Sequence, residues 1–449
     1  MVAILAAIYD DEVGALLLDE PEVSLHPQLQ AFLMKEIERY SGDIQQNKKL
    51  IVLATHSTEF IRVSSLKDLC NIVFCQSYEK PPVQLNPNMG ELQNGKLNEL
   101  LSRIGQEHKL AFFSTRPLLV EGPSDSILCH GIERKLDMFI EASVVQIVPI
   151  IGKGEFPIVY KLMVLIGKEP IILTDADSFT DSMDIPMLFC NSQLANELAQ
   201  AQGAASGLCS IIRDVHSDFC KLADSKIKAF RALLENTAYW KNKCSEDDVV
   251  KIYRRTFFSL INSDNVPVAV SSDTSIVSMV RRIDALFSIL KAVGCFILKK
   301  GTIESYYAYS NQEVSFGKPI AAVNEVESFT SKENAFIIEQ YSDVVQCLQY
   351  AAKTKAINEV EALRELLLAV LAPVLGSLRE DISQSELDSI VKSTVGDRGG
   401  LFRIILNESN KSKVSVDVNS KILEVSCFPF EIDKSEKIVQ VINSKIGLL

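Results

Sequence analysis

A chain of 449 residues, 47% hydrophobic and 23% charged, has ordinary soluble-globular values and room for two or three domains with separate cores. A net charge of −12 argues against a surface coated with nucleic-acid-binding lysine and arginine. It leaves room for an acidic catalytic cluster served by a local basic path. The ten cysteines include no C-x-x-C pair and read as buried thiols of a reduced cytoplasmic protein, not as a zinc site. The N-terminal MVAILAAIYDDE lacks the basic flank and cleavage pattern of a secretory signal, and no apolar run is long enough to cross a bilayer, so no membrane association is expected.

In chain order, residues 1–78 alternate strand and helix. ALLLDE is a buried strand, PQLQAFLMKEIERY an amphipathic helix and LIVLATHS a second buried strand. Residues 79–115 read as a linker, with Pro81, Pro82, Pro87, Asn88 and Gly90 before a short helix around GKLNELLSRIG. From Arg116 a second alternating block begins: PLLVEG strand, SDSILCHGIERKLDMF helix, ASVVQIVPI strand, FPIVYKLMVLIG helix, EPIILTDAD strand. Apolar strands joined by helices of this length predict a parallel sheet with helices on both faces. A polar-rich helical insertion covers about 183–290, after which GCFILKKG returns as a late strand. Residues 311–449 are helical through SLRED, then carry the strand-like FRIILNE, KVSVDV and ILEVSCF and a final helix, KSEKIVQVINSKI.

In the first block an apolar strand ends in Asp19-Glu20. A carboxylate there can hold Mg²⁺ through water, and the next glutamate can orient a hydrolytic water. The series DEPE, SLHP and ATHS resembles the Walker B strand, D-loop and switch histidine of ABC-type ATPases. The resemblance implies that Asp19 serves magnesium, Glu20 acts as hydrolytic base, His56 contacts the γ-phosphate and Ser24 to Pro27 face a dimer partner. No G-x-x-x-x-G-K-[ST] occurs, and the ABC signature is missing, so residues 1–78 read as the C-terminal half of such a domain. ATP is expected to bind only if another polypeptide supplies the phosphate-loop half.

In the second block Glu121 closes one apolar strand, with Asp125 one helical turn on, and Asp175 and Asp177 close another with i, i+2 spacing. Ligands in open parallel sheets collect at the carboxyl ends of the strands, so these acids are expected to meet. Crowded carboxylates need a cation, and hard oxygen ligands suit Mg²⁺ or Mn²⁺, two of which can activate water and stabilise a leaving oxygen. The arrangement resembles the Toprim domain, and the ATPase-like block upstream, IGKGEFP and ILKKGTIESYY point to the OLD (overcoming lysogenization defect) branch of nucleases.

That resemblance implies an α/β fold: a partial ABC-type ATPase sheet (1–78), a linker (79–115), a Toprim domain with its insertion (116–310) and a helical then α+β region (311–449). It implies that Glu121, Asp125, Asp175, Asp177 and Glu304 hold two metal ions, that Lys300 or Lys299 neutralises charge on the phosphate, and that Lys153 or Ser178 could add contacts. The expected activity is DNA endonuclease or nickase chemistry, in phage defence or DNA processing. The expected assembly is a homo-oligomer, a dimer through the ATPase-type half, with a separate chain or helicase-like partner also open. The alternative is a non-catalytic DNA-binding or regulatory subunit with a vestigial ATPase half. Strand passage would need a nucleophilic tyrosine, for which Tyr306, Tyr307 and Tyr309 are candidates by type alone. His26 belongs to the D-loop pattern, and His108, His130 and His216 read as ordinary structural or surface residues without partners at ligand spacing.

Overall fold

The computed structural model describes the chain apart from residues 77–79, 88–94, 151–152, 203–206, 238–239, 241–247, 264, 310–316, 353–358, 421–426 and 447–449. It divides into two compact units, Met1–Lys353 and Thr354–Leu449. No helix among the described residues is long and apolar enough to cross a membrane.

The first unit opens with strands β1 (Ala15–Asp19) and β2 (Leu50–Ala54), paired in parallel with Asp19 opposite Ala54. The period-2 alternation of a strand sends Leu16, Leu18, Ile51 and Leu53 to one face, against Ile8, Leu33, Ile37 and Phe60. Helices Val2–Tyr9 and Pro27–Tyr40 supply most of that layer. The opposite face carries Leu17, 82% exposed, with Leu50 and Val52 about half exposed. The two strands expected to be buried are thus covered on one side only among the described residues. A run such as LLL cannot distinguish the two situations, because every position is apolar.

The segment expected to be a linker is packed. It forms a short antiparallel pair, β3 (Val73–Phe74) with β4 (Val83–Gln84), and helices Gly95–Ser102 and Gln106–Phe113. Leu97, Leu100, Leu101 and Phe112 share a core with the large sheet that follows.

That sheet has four parallel strands in the order β6-β5-β7-β8: β5 (Leu118–Val120), β6 (Ile147–Pro149), β7 (Ile171–Thr174) and β8 (Cys295–Ile297). Every strand residue is buried, as a sheet covered on both faces requires. Leu118, Val120, Ile171, Leu173 and Phe296 pack against helices Pro123–Lys135, Lys318–Ser328 and Ser342–Ala351. Leu119, Ile172, Cys295 and Ile297 face the other way, toward Phe156–Leu165 and the insertion helix Thr274–Ala292. The expected division near residue 310 therefore does not mark the edge of the compact unit. Ala322, Phe329, Tyr341 and Leu348 belong to the same core as β5 and β7, and the unit runs on to Lys353.

The insertion is helical as expected. Leu208–Glu235, Val249–Ile261 and Thr274–Ala292 surround a group of rings from Phe179, Phe219, Phe257, Phe258 and Phe287. Cys190 and Cys209 are joined in a disulfide across Cα atoms 5.2 Å apart, which corrects the expectation of free thiols throughout. Spacing alone gives no sign of it, since the two lie on opposite sides of an intervening helix, Gln193–Ala201.

The second unit has helices Glu359–Ser377, Gln384–Val395 and Ile438–Ile446, with an antiparallel sheet in the order β11-β10-β9. FRIILNE and KVSVDV form β9 (Phe402–Leu406) and β10 (Lys413–Val418). The third strand, β11, is Phe430–Asp433. Most of ILEVSCF, where a strand was expected, lies outside the described residues.

Candidate active site

Strands β5 and β7 are neighbours, so their carboxyl ends are side by side. Glu121 follows β5 and lies against the end of β7: its Oε1 accepts from the Thr174 hydroxyl at 2.8 Å and from the Asp175 amide at 2.8 Å. Two residues expected to act together from 54 positions apart are thereby locked to one another. Asp175 is 9% exposed, and its carbonyl accepts from both the amide and the hydroxyl of Ser178. Ser178 thus serves the turn after β7.

Asp125 stands in the first turn of Pro123–Lys135, just past Gly122 and Pro123, and is 7% exposed. Burial pushes its carboxyl up to about 7, and the nearby charges of Glu121 and Glu304 add to the shift. Glu304 arrives from the other side, on the turn Ile303–Tyr306 after β8. Its Oε1 lies 2.7 Å from Lys318 Nζ. Burial opposes ionisation of Glu304, but Lys318 outweighs it and holds the carboxyl below its ordinary value. Lys318 is itself raised: burial disfavours the ammonium, yet Glu304, Asp175 and Asp125 all favour it. Glu121, Asp125, Asp175 and Glu304 thus form one electrostatic cluster with Lys318 inside it. Sequence reasoning did not find Lys318. G-K-P in front of a helix reads only as an N-terminal start, and the acids it meets are far away in the chain.

Asp177 opens the short helix Asp177–Thr180, and one of its oxygens lies 3.9 Å from Arg255 Nη2. The same guanidinium grips Asp181 through Nε and Nη2. Arg255 comes from the insertion, on the helix Val249–Ile261; its neighbour Arg254 instead binds Asp224 at 2.8 and 2.7 Å. Lys300 sits beside the D-x-D turn, because the Gly301 carbonyl accepts from the Ala176 amide at 2.7 Å. Its ammonium lies 5.2 Å from the centre of the Tyr306 ring. Lys299 turns away to Asp284 at 2.6 Å, which leaves Lys300 as the lysine of this edge. Tyr306 and Tyr307 are buried, and the Tyr306 hydroxyl donates to Asp343; only Tyr309 is exposed. The side chain of Lys153 lies outside the described residues.

The donor set suits hard divalent cations: carboxylates from two strand ends, a helix start and a turn, crowded until one is raised to about 7. Glu121, Asp125, Asp175 and Glu304 are the residues that could hold such ions.

At the other sheet, Glu20 and His56 follow β1 and β2, with His56 Nε2 3.7 Å from Glu20 Oε1 and both side chains exposed. Glu20 has φ +43 and Ser24 φ +64, the left-handed backbone of a tight turn. Glu22 binds the turn to β2, accepting from the Thr55 hydroxyl and the His56 amide at 2.7 Å each. His26 caps the Pro27–Tyr40 helix through Nδ1, a structural task.

A buried parallel sheet with acids gathered at adjacent strand ends, preceded by a two-stranded ATPase-like block, defines the class, and comparison with known proteins agrees. Residues 112–177 match the family model of the overcoming lysogenization defect protein-like Toprim domain, and residues 1–62 match an AAA domain model described as putative AbiEii toxin, type IV toxin–antitoxin system. Two stretches of the chain are thus similar to an OLD-like Toprim domain and, upstream of it, to an AAA domain. Among curated proteins it is similar to Endonuclease GajA of Bacillus cereus (strain VD045), 31% identical over 130 residues, which is 28% of this chain and 20% of that protein. The match spans about a fifth of that relative's length.

Proposed function

We propose that this protein is a metal-dependent nuclease of the OLD type that hydrolyses phosphodiester bonds in DNA. The observation that carries the reading is the hydrogen bonding of Glu121 to the Asp175 amide and Thr174, which joins two strand-end acids in a cluster with Asp125 and Glu304. Similarity to an endonuclease over 130 residues, together with the Toprim match over residues 112–177, supports it. Magnesium or manganese held there would supply an activated water and stabilise the leaving oxygen.

Each residue then has a physical task. Glu121 orients through Thr174, and burial together with its charge raises Asp125, which would give up its proton to hold an ion. Lys318 balances Glu304 and Asp175, and would be available to a phosphate oxygen where ions held those carboxylates. Lys300 is positioned by the Gly301–Ala176 bond to meet charge developing on the phosphate. Arg255 fixes Asp177 from the insertion.

In the ATPase segment, Asp19, Glu20 and His56 are assigned to nucleotide, with hydrolysis depending on a phosphate loop supplied from elsewhere and on dimerisation through this segment. A role in phage defence follows the same reading. The test is nicking of supercoiled plasmid by the full chain. Cleavage with Mg²⁺ or Mn²⁺, abolished by chelator and reduced at least about 100-fold by Asp175→Asn, supports the proposal; equal cleavage by parent and variant refutes it.

A further inference from the structure

On the same helix as Asp125, but two turns further along, a second set of metal-ligating side chains converges. His130 and Glu133 are three positions apart on Pro123–Lys135 and so share a face. Glu141 reaches them from the loop that leads to β6. His130 Nδ1 lies 3.4 Å from Glu133 Oε2 and 4.0 Å from Glu141 Oε1, and one donor atom from each residue falls within 4.8 Å of the other two. Three ligands of a tetrahedral ion at 2.0–2.2 Å stand about 3.3–3.6 Å apart, so small side-chain adjustments would bring the donors to ligating positions.

We propose that His130, Glu133 and Glu141 form a second divalent-metal site, distinct from the strand-end acids, that takes a transition ion of the zinc type and clamps the loop 136–145 to the helix. The donor chemistry selects the ion: one imidazole with two carboxylates suits zinc better than magnesium, which avoids nitrogen. The two glutamates lie beside one another; His130 pairs with both, and the charge of Arg134 also favours their ionised forms. Burial lowers the imidazole, so at neutral pH it offers a lone pair and not a compensating charge.

The exposures fit an ion that enters from solvent. The Glu133 side chain is 10% exposed, His130 39% and Glu141 66%, leaving an open side for water as a fourth ligand. The loop gives the ion a purpose. Asp137, Phe139 and Val144 all have φ near +50, which side chains with a Cβ adopt at a cost, most of all the β-branched valine. Glu133 already holds the loop through the Ile140 amide at 3.3 Å, and a bound ion would add Glu141 to that anchor.

The test is metal content of the full chain after dialysis against Zn²⁺, with melting followed in zinc and in chelator. The expected result is one zinc ion lost by both His130→Ala and Glu141→Gln but retained by Asp175→Asn, and a zinc-induced rise in Tm that Glu141→Gln abolishes. Glu141 is exposed, so its variant keeps the test decisive should His130→Ala fail to fold. Equal zinc content and equal stabilisation in parent and Glu141→Gln overturn the proposal, as does zinc binding that only Asp175→Asn removes.

Discussion

Asp125 shows how one buried side chain couples protons, ions and stability. Its carboxyl is held up to about 7 in the fold, by burial first and then by Glu121 and Glu304, against about 3.9 in an unfolded chain. The folded state therefore binds the extra proton, and the favourable contribution is present at low pH and lost as pH rises through about 7. In chelator, Tm should fall between about pH 5 and 8, and Asp125→Asn should flatten that part of the profile. A profile identical in parent and variant would contradict the placement of Asp125. Tyr306 anchors the Lys300 loop: its hydroxyl donates to Asp343 and accepts from the Lys300 amide at 3.2 Å, with Asp343 held by Lys291 at 2.8 Å. Tyr306→Phe leaves Asp343 without that donor and should cost about 1–3 kcal/mol in urea unfolding, with cleavage reduced through the Lys300 loop.

Among elements, the close pairing of Pro123–Lys135 with Lys318–Ser328 matters most, because one helix carries Asp125 and the other Lys318. Gly131 makes the approach feasible. A Cβ there would stand 2.4 and 2.7 Å from the methyls of Val326. Gly131→Ala should destabilise by about 1–3 kcal/mol and weaken divalent binding, and adding Val326→Ala should restore much of both. Denaturant midpoints and metal titrations of the three variants check this; an unchanged Gly131→Ala protein would refute the tight crossing. These contacts also mark where the sequence stops being informative. The strands of the four-stranded sheet and the meeting of Glu121 with Asp175 at adjacent strand ends were legible, because short apolar runs ending in acids carry their meaning locally; Asp177 was expected on the extended strand end and opens a helix instead. Lys318 and Arg255 were not, since each meets the site through a contact far along the chain. The one-sided burial of β1 and β2 was hidden by uniformly apolar strands, and β11 by a pattern as strand-like in the segment just before it.

For the whole molecule, the cores decide what can be separated. Leu367, Leu371, Val414, Val416 and Ile432 form a core of their own in Thr354–Leu449, while the strand-end acids belong to Met1–Lys353. A chain ending at Lys353 should keep the fold of its sheet and bind divalent ions as the full chain does, which circular dichroism and titration check. Loss of binding on that truncation would mean that the acids need the second unit. The central claim remains that acids from separate strands act as one ion-holding group. Counting bound Mn²⁺ by electron paramagnetic resonance tests it most directly. The parent should hold two ions that Asp175→Asn no longer holds; equal Mn²⁺ binding by the two proteins would contradict the account.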